Sequence, residues 1–257
     1  MRPRFLPELL ALLLYPLLAW QGRRARQKTP RFPEASGLPY GISGNVETAP
    51  AWRVLAIGES PVAGVGVDTY EQAITAQLAQ ALAEHHHVCV EWQALGQNGA
   101  RLASAQDSLA RLKAGKDAAG QAWDVILIAY GVNDTTGFTS AARYRRQLFA
   151  LIHQLQNSQQ QAPLILISGV PPMQFFPALP QPLRFVLGLK ARVLDQVSKE
   201  ISASGKQIYH VPLQLNFQDK HLMAEDGYHP SALGNTVWAQ QLLDKLLAVF
   251  PQNRQEI

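Results

Sequence analysis

Between Trp52 and Phe250, short apolar runs closed by glycine, asparagine or serine alternate with longer stretches patterned for helices. Residues 124–130 (DVILIAY) and 164–168 (LILIS) are apolar almost throughout. A strand that is apolar on both faces must be covered on both faces, which is the condition of a parallel sheet held between two layers of helices. Residues 53–57 (RVLAI), 88–95, 124–130, 164–168 and, more weakly, 207–211 read as five strands. Helices are expected near 70–84, over 101–113, over 140–159, up to about residue 203, and from just after Pro230 to about residue 250. The expected fold is a three-layer α/β/α domain around a five-stranded parallel sheet. No internal repeat is evident, and the Gln-rich stretch 154–161 reads as a solvated helix end.

In such a fold, the loops leaving the carboxyl ends of the strands share one edge of the sheet, and ligands bind there. Ser60 follows the first expected strand, Gly99 the second, Asn133 the third, and Asp226 with His229 the fifth. Acyl transfer to a hydroxyl requires a nucleophile, a base, a group that fixes the base's tautomer, and donors aimed at the developing oxyanion. Ser60 lies in a Gly-flanked turn. Asp226 and His229 are close enough in EDGYHP for the carboxylate to hold the imidazole, and Pro230 keeps His229 extended, outside the following helix. The Gly99 amide and the Asn133 side-chain amide are candidate oxyanion donors.

The segments GES (58–60), NG (98–99), GVND (131–134) and DGYHP (226–230) resemble, in order, the four blocks of the SGNH hydrolase superfamily, the GDSL-type esterases and lipases. The resemblance extends over residues 53–250. It implies a flavodoxin-like sheet of order 2-1-3-4-5 and a triad of Ser60, His229 and Asp226. It also implies an oxyanion hole of Ser60, Gly99 and Asn133, with no metal or organic cofactor. One position departs from the pattern: Glu59 stands where the family usually has Asp.

Taken singly, these residues have plainer readings: Ser60 as a turn or cap serine, His229 as a cap, Asp226 as a turn former. Gly96 competes with Gly99 as the second-block glycine, and Asp134 reads as a loop organiser. His85, His86 and His87 are consecutive at a helix end, point in different directions and have no accompanying ligand cluster, so a metal site is not expected. Cys89 falls on a strand and reads as a small buried residue, and a lone cysteine allows no intramolecular disulfide. The loop GESPVAGVGV lacks a P-loop ending and GxGxxG spacing, so a nucleotide cradle is not expected, and no G-x-S-x-G elbow is present.

The net charge of +4 is unevenly placed. Residues 1–31 carry seven Lys/Arg against Glu8, for +6, which leaves −2 for the rest. A nucleic-acid-binding domain is therefore disfavoured. Three parts are expected: residues 1–28 as a hydrophobic membrane-associating segment, 29–50 as a linker rich in Pro, Gly and Ser, and 51–257 as the hydrolase domain. The apolar run 5–20 (FLPELLALLLYPLLAW) is short for a span of about 20 residues and contains Glu8 and Pro16. A signal peptide, an uncleaved anchor and an interfacial helix all fit it, although Trp20, Gln21 and Arg23 occupy the place of a cleavage site. As an anchor, its heavier positive flank on the C-terminal side would keep the domain on the cytoplasmic face. Burial as a core helix is disfavoured by the apparent linker that follows. The expected activity is hydrolysis of carboxylic esters or thioesters of small molecules or lipids, with 171–182 and neighbouring Leu183 as an apolar wall or lid for an acyl chain. O-acetyl ester hydrolysis on envelope saccharides and a non-catalytic tethered binding domain are the alternatives.

Overall fold

The computed structural model describes residues 5–45, 49–114, 122–158 and 161–249. Arg2, Arg4, Gln159, Gln160 and Phe250, which entered the sequence expectations, lie outside them. The elements in chain order are α1 (Leu6–Leu13), α2 (Tyr15–Lys28), β1 (Tyr40–Ser43), β2 (Trp52–Gly58), α3 (Ile74–His86), β3 (Val90–Gly96), α4 (Ala105–Ala114), β4 (Val125–Ala129), α5 (Val132–Thr136), α6 (Ala141–Asn157), β5 (Leu164–Ser168), α7 (Leu183–Ser204), β6 (Ile208–Val211) and α8 (Ala232–Val249).

The sheet has six strands in the order β1-β3-β2-β4-β5-β6. Strands β2 to β6 are parallel and in the expected 2-1-3-4-5 order. The expected count of five is corrected by β1, which pairs antiparallel with β3, Tyr40 opposite Gln93 and Ser43 opposite Val90. This strand lies within residues 29–50, read from the sequence as a linker. Four residues, YGIS, carry too little pattern to announce a strand; they pair because β3 would otherwise leave an edge unpaired.

Strand pleating sends alternate side chains to opposite faces. Leu55, Ile57, Ile126, Ile128, Ile165 and Ile167 pack with α6 and α7, while Val54, Ala56, Val125, Leu127 and Leu164 pack with α3 and α8. All five residues of β4 and of β5 are buried, as runs that are apolar except for the terminal Ser168 require.

The N-terminal segment forms two helices that break at Leu14 and dock on α7. Leu18 is buried in the main core, and Leu10, Ala11 and Leu14 pack against it. The fully buried Lys190 of α7 forms an ion pair with Glu8. Gln21 Nε2 donates to the Gln181 carbonyl at 2.6 Å, and Gln21 Oε1 accepts from the Leu183 amide at 3.0 Å. The sequence disfavours such docking because residues 29–50 read as a linker, but that stretch pairs into the sheet as β1 and brings the helices back onto α7. No helix among the described residues is long and apolar enough to cross a membrane.

Candidate active site

Strand β2 runs into a tight turn that carries Ser60. The Glu59 carbonyl accepts from the amides of Val62 (3.0 Å) and Ala63 (3.2 Å), and the Ser60 carbonyl accepts from Val65 N at 3.0 Å. These bonds fix the Ser60 backbone while leaving its own amide without a hydrogen bond among the described residues. Gly99 is in the same condition: its amide is unengaged, and the space where a Cβ would sit is open. Gly96 differs. A Cβ there would fall 2.1 Å from Ala63 N, so this glycine lets β3 approach the Ser60 turn.

His229 comes to the cavity that Ser60 lines from the segment before α8. Its carbonyl accepts from Ala224 N at 2.9 Å, which folds residues 224–229 into a compact turn. Asp226 Oδ2 lies 2.6 Å from His229 Nδ1, and Asp226 Oδ1 accepts from the amides of Tyr228 (2.9 Å) and His229 (3.0 Å). Burial raises the Asp226 pKa, but the hydrogen bond and charge of His229 and the two amides outweigh it, and the carboxyl is held below its usual value. Gly66 lets the two loops meet, since a Cβ there would lie 2.9 Å from His229 Cβ. Ser60 and His229 line one cavity with no hydrogen bond between their side chains, and His229 Nε2 is unengaged.

Glu59 has a larger part than the sequence indicated. Its buried carboxylate accepts from Val132 N (2.8 Å), Asn133 N (2.9 Å) and Asn133 Nδ2 (2.7 Å). It thus ties the turn after β4 to the Ser60 turn. One Nδ2 hydrogen of Asn133 is spent on this bond; the second remains for another acceptor. Burial pushes the Glu59 carboxyl up to about 7, against the opposing pull of the three donors. Its sole sequence signal was an acid where a shorter one is usual.

Other sequence candidates fall outside this cluster. Asp134 accepts from Leu102 N at 2.9 Å, as befits a loop organiser. Among the apolar residues of 171–183, Met173, Leu179 and Leu183 are buried in the core and Phe175 is exposed. Phe176 lines the cavity, its ring 5.1 Å from both Phe217 and Tyr228. Cys89 is buried in the fold, and no group of three or more potential metal ligands occurs among the described residues. Two contributors lay in stretches read otherwise. Glu34, in the apparent linker, accepts from Asn98 N at 2.7 Å and so anchors the turn carrying Gly99. Asp195 of α7 binds Val170 N (3.1 Å) and His210 Nε2 (2.7 Å), which holds the loop after β5.

The sequence model of the GDSL-like lipase/acylhydrolase family matches residues 56–237. No curated protein matches the chain. Among solved structures, the chain is similar to a lipase from a goat rumen metagenome, with TM-score 0.59 and 14% identity over 76% of this chain and 97% of that one. It is also similar to a psychrotrophic esterase from Pseudoalteromonas inhibited by monoethylphosphonate, with TM-score 0.55 and 16% identity over 76% and 97%. A family two carbohydrate esterase from Clostridium thermocellum gives TM-score 0.58 and 17% identity over 78% and 65%. At these identities the structural likenesses speak for the fold alone.

Proposed function

This chain belongs to the GDSL-like lipase/acylhydrolase family, and on that premise we propose that it is a serine ester hydrolase acting through an acyl-enzyme on Ser60. The observation that carries the reading is the 2.6 Å contact of Asp226 with His229 Nδ1, which leaves Nε2 unengaged among the described residues on a side chain that shares one cavity with Ser60. The hydrogen bond places a proton on Nδ1, so Nε2 has a lone pair for the Ser60 proton. As Oγ attacks the ester carbonyl, that proton passes to Nε2, and the carbonyl oxygen gains charge. The unengaged amides of Ser60 and Gly99 and the second Nδ2 hydrogen of Asn133 are the donors for it. His229 then gives its proton to the departing alkoxide or thiolate. Water, deprotonated by the same imidazole, releases the acid. Asp226, with its lowered pKa, stays ionised and stabilises the imidazolium. The bond between Ser60 and His229 forms as substrate excludes water from the cavity.

The substrates in this proposal are carboxylic esters or thioesters, including acyl lipids. Phe176, Phe217 and Met223 supply the apolar cavity wall that receives the acyl group. The test is hydrolysis of p-nitrophenyl esters from acetyl to decanoyl by the full chain and by Ser60→Ala. Turnover that varies with chain length and falls by about three or more orders of magnitude in the variant is expected, because such groups act as a unit. Failure of the folded wild type to turn over any of the series, or to be labelled by an organophosphonate, removes the hydrolase reading.

A further inference from the structure

The α1–α2 segment, kinked at Leu14, wears its polarity the wrong way round for helices facing water. Glu8 within the apolar stretch and Gln21 just beyond it point at the protein: Glu8 pairs with buried Lys190, and Gln21 clasps the backbone of Gln181 and Leu183. Its outward residues are apolar. Leu12 is 74% exposed, Leu13 69% and Trp20 55%, with Phe5, Leu9 and Leu17 exposed beside them. A helix that is apolar all round is at home only where both sides are apolar. One side here is met by α7; the other faces outward, uncovered by any of the described residues.

Neither helix is long and apolar enough to cross a bilayer. At about 1.5 Å per residue, α2 with 14 residues extends roughly 21 Å, short of a hydrocarbon core of about 30 Å, and α1 with eight is shorter still. The chemistry of the far end of α2 is also distinctive. Arg23, Arg24, Arg26 and Lys28 are exposed on the last turns of α2, with the Arg24 guanidinium 5.3 Å over the Trp20 ring. An apolar face that runs into an amphipathic Trp and then into a cationic cluster matches, in order, the acyl region, the interface and the anionic headgroups of a bilayer.

We propose that the kinked α1–α2 segment is an in-plane binding surface for anionic membranes, clamped to the hydrolase domain. The clamp gives the surface a consequence for the site. Trp20, Arg24 and Lys28 line a groove with Pro177 and Pro180, and Ala178 of that segment packs against Gly227, two residues from His229. Beyond burial and the Glu59 charge, which push the Tyr228 phenol up, the Arg26 charge acts on it in the opposite sense, which places the cationic end of α2 near the cavity wall. The membrane face therefore adjoins the cleft, and the domain rests on the bilayer in one orientation.

The test uses the full chain sedimented with phosphatidylcholine vesicles, with and without phosphatidylglycerol, at low and high salt. Preferential, salt-sensitive binding to the anionic vesicles is expected. Leu12→Glu with Leu13→Glu should lower it by about tenfold or more, and Arg23→Gln with Arg24→Gln by about fivefold per residue. Both variants should keep the wild-type circular dichroism spectrum, because all four side chains are exposed and none is part of the core. Trp20→Ser serves as a milder second variant for the apolar face. Wild type that stays in the supernatant overturns the proposal, as does binding unaffected by the leucine and tryptophan variants. A concentration-dependent dimer that Leu12→Glu/Leu13→Glu dissociates, with no vesicle binding, also overturns it and gives the face to a second copy of the chain.

Discussion

Glu59 stands between the nucleophile turn and the turn that carries Asn133, and its charge state decides how firmly the two are joined. All three of its partners are donors, so only the ionised carboxylate satisfies them together. Burial nevertheless pushes its pKa from 4.5 to about 7. In the unfolded chain the group ionises near 4.5, whereas in the folded protein it keeps its proton until about 7. Between those values the folded state binds the extra proton, and the contribution of Glu59 to stability falls as pH rises. Glu59→Gln removes that term. The fall in thermal midpoint from pH 4.5 to 7 is therefore expected to be shallower in the variant, and identical slopes would show that the group does not titrate there. Asp226 contributes in the opposite sense. Its lowered pKa adds stability above the ordinary carboxylate range, which is lost as pH falls through the folded value.

At the scale of elements, the apparent linker ahead of β2 is a strap over the site. Ala35 N donates to Ala63 O at 3.0 Å, Ser36 N to Asp68 O at 2.9 Å, and Glu34 receives Asn98 N before the chain continues into β1. The strap holds the Ser60 loop and the Gly99 turn from one side while Glu59 joins the Ser60 and Asn133 turns from within. Glu34→Ala is expected to loosen only the Gly99 turn. Hydrolysis of a soluble ester should then show kcat lowered by roughly tenfold with little change in KM, while the exposed contact costs about 1 kcal/mol of stability or less. Unchanged kcat would mean that the Gly99 amide is held without the strap.

Across the whole molecule, the α1–α2 segment and the domain are joined by a charge pair between residues 182 positions apart. Glu8→Gln leaves Lys190 covered by α1 but without its counter-charge, and a stability loss of about 3 kcal/mol is expected in chemical denaturation. Adding Lys190→Met should recover most of it, because the pair then gives way to an apolar contact. Equal midpoints for wild type and Glu8→Gln would show that the clamp rests on the apolar contacts of Leu10, Leu14 and Leu18 instead. What the sequence alone determined was whatever depends on short-range pattern. Strands β4 and β5 were legible because continuous apolar runs admit only a doubly covered strand, and Asp226 was tied to His229 because three residues of chain hold them within one turn. The tertiary structure decided what depends on distant partners. Strand β1 exists because β3 offers it an edge, and α1 and α2 dock because α7 supplies a buried lysine. Glu59 became a staple because its acceptors' donors sit 73 and 74 residues further on. A local window records the apolarity or charge of such residues, but the free energy that places them lies in contacts that only the folded chain creates.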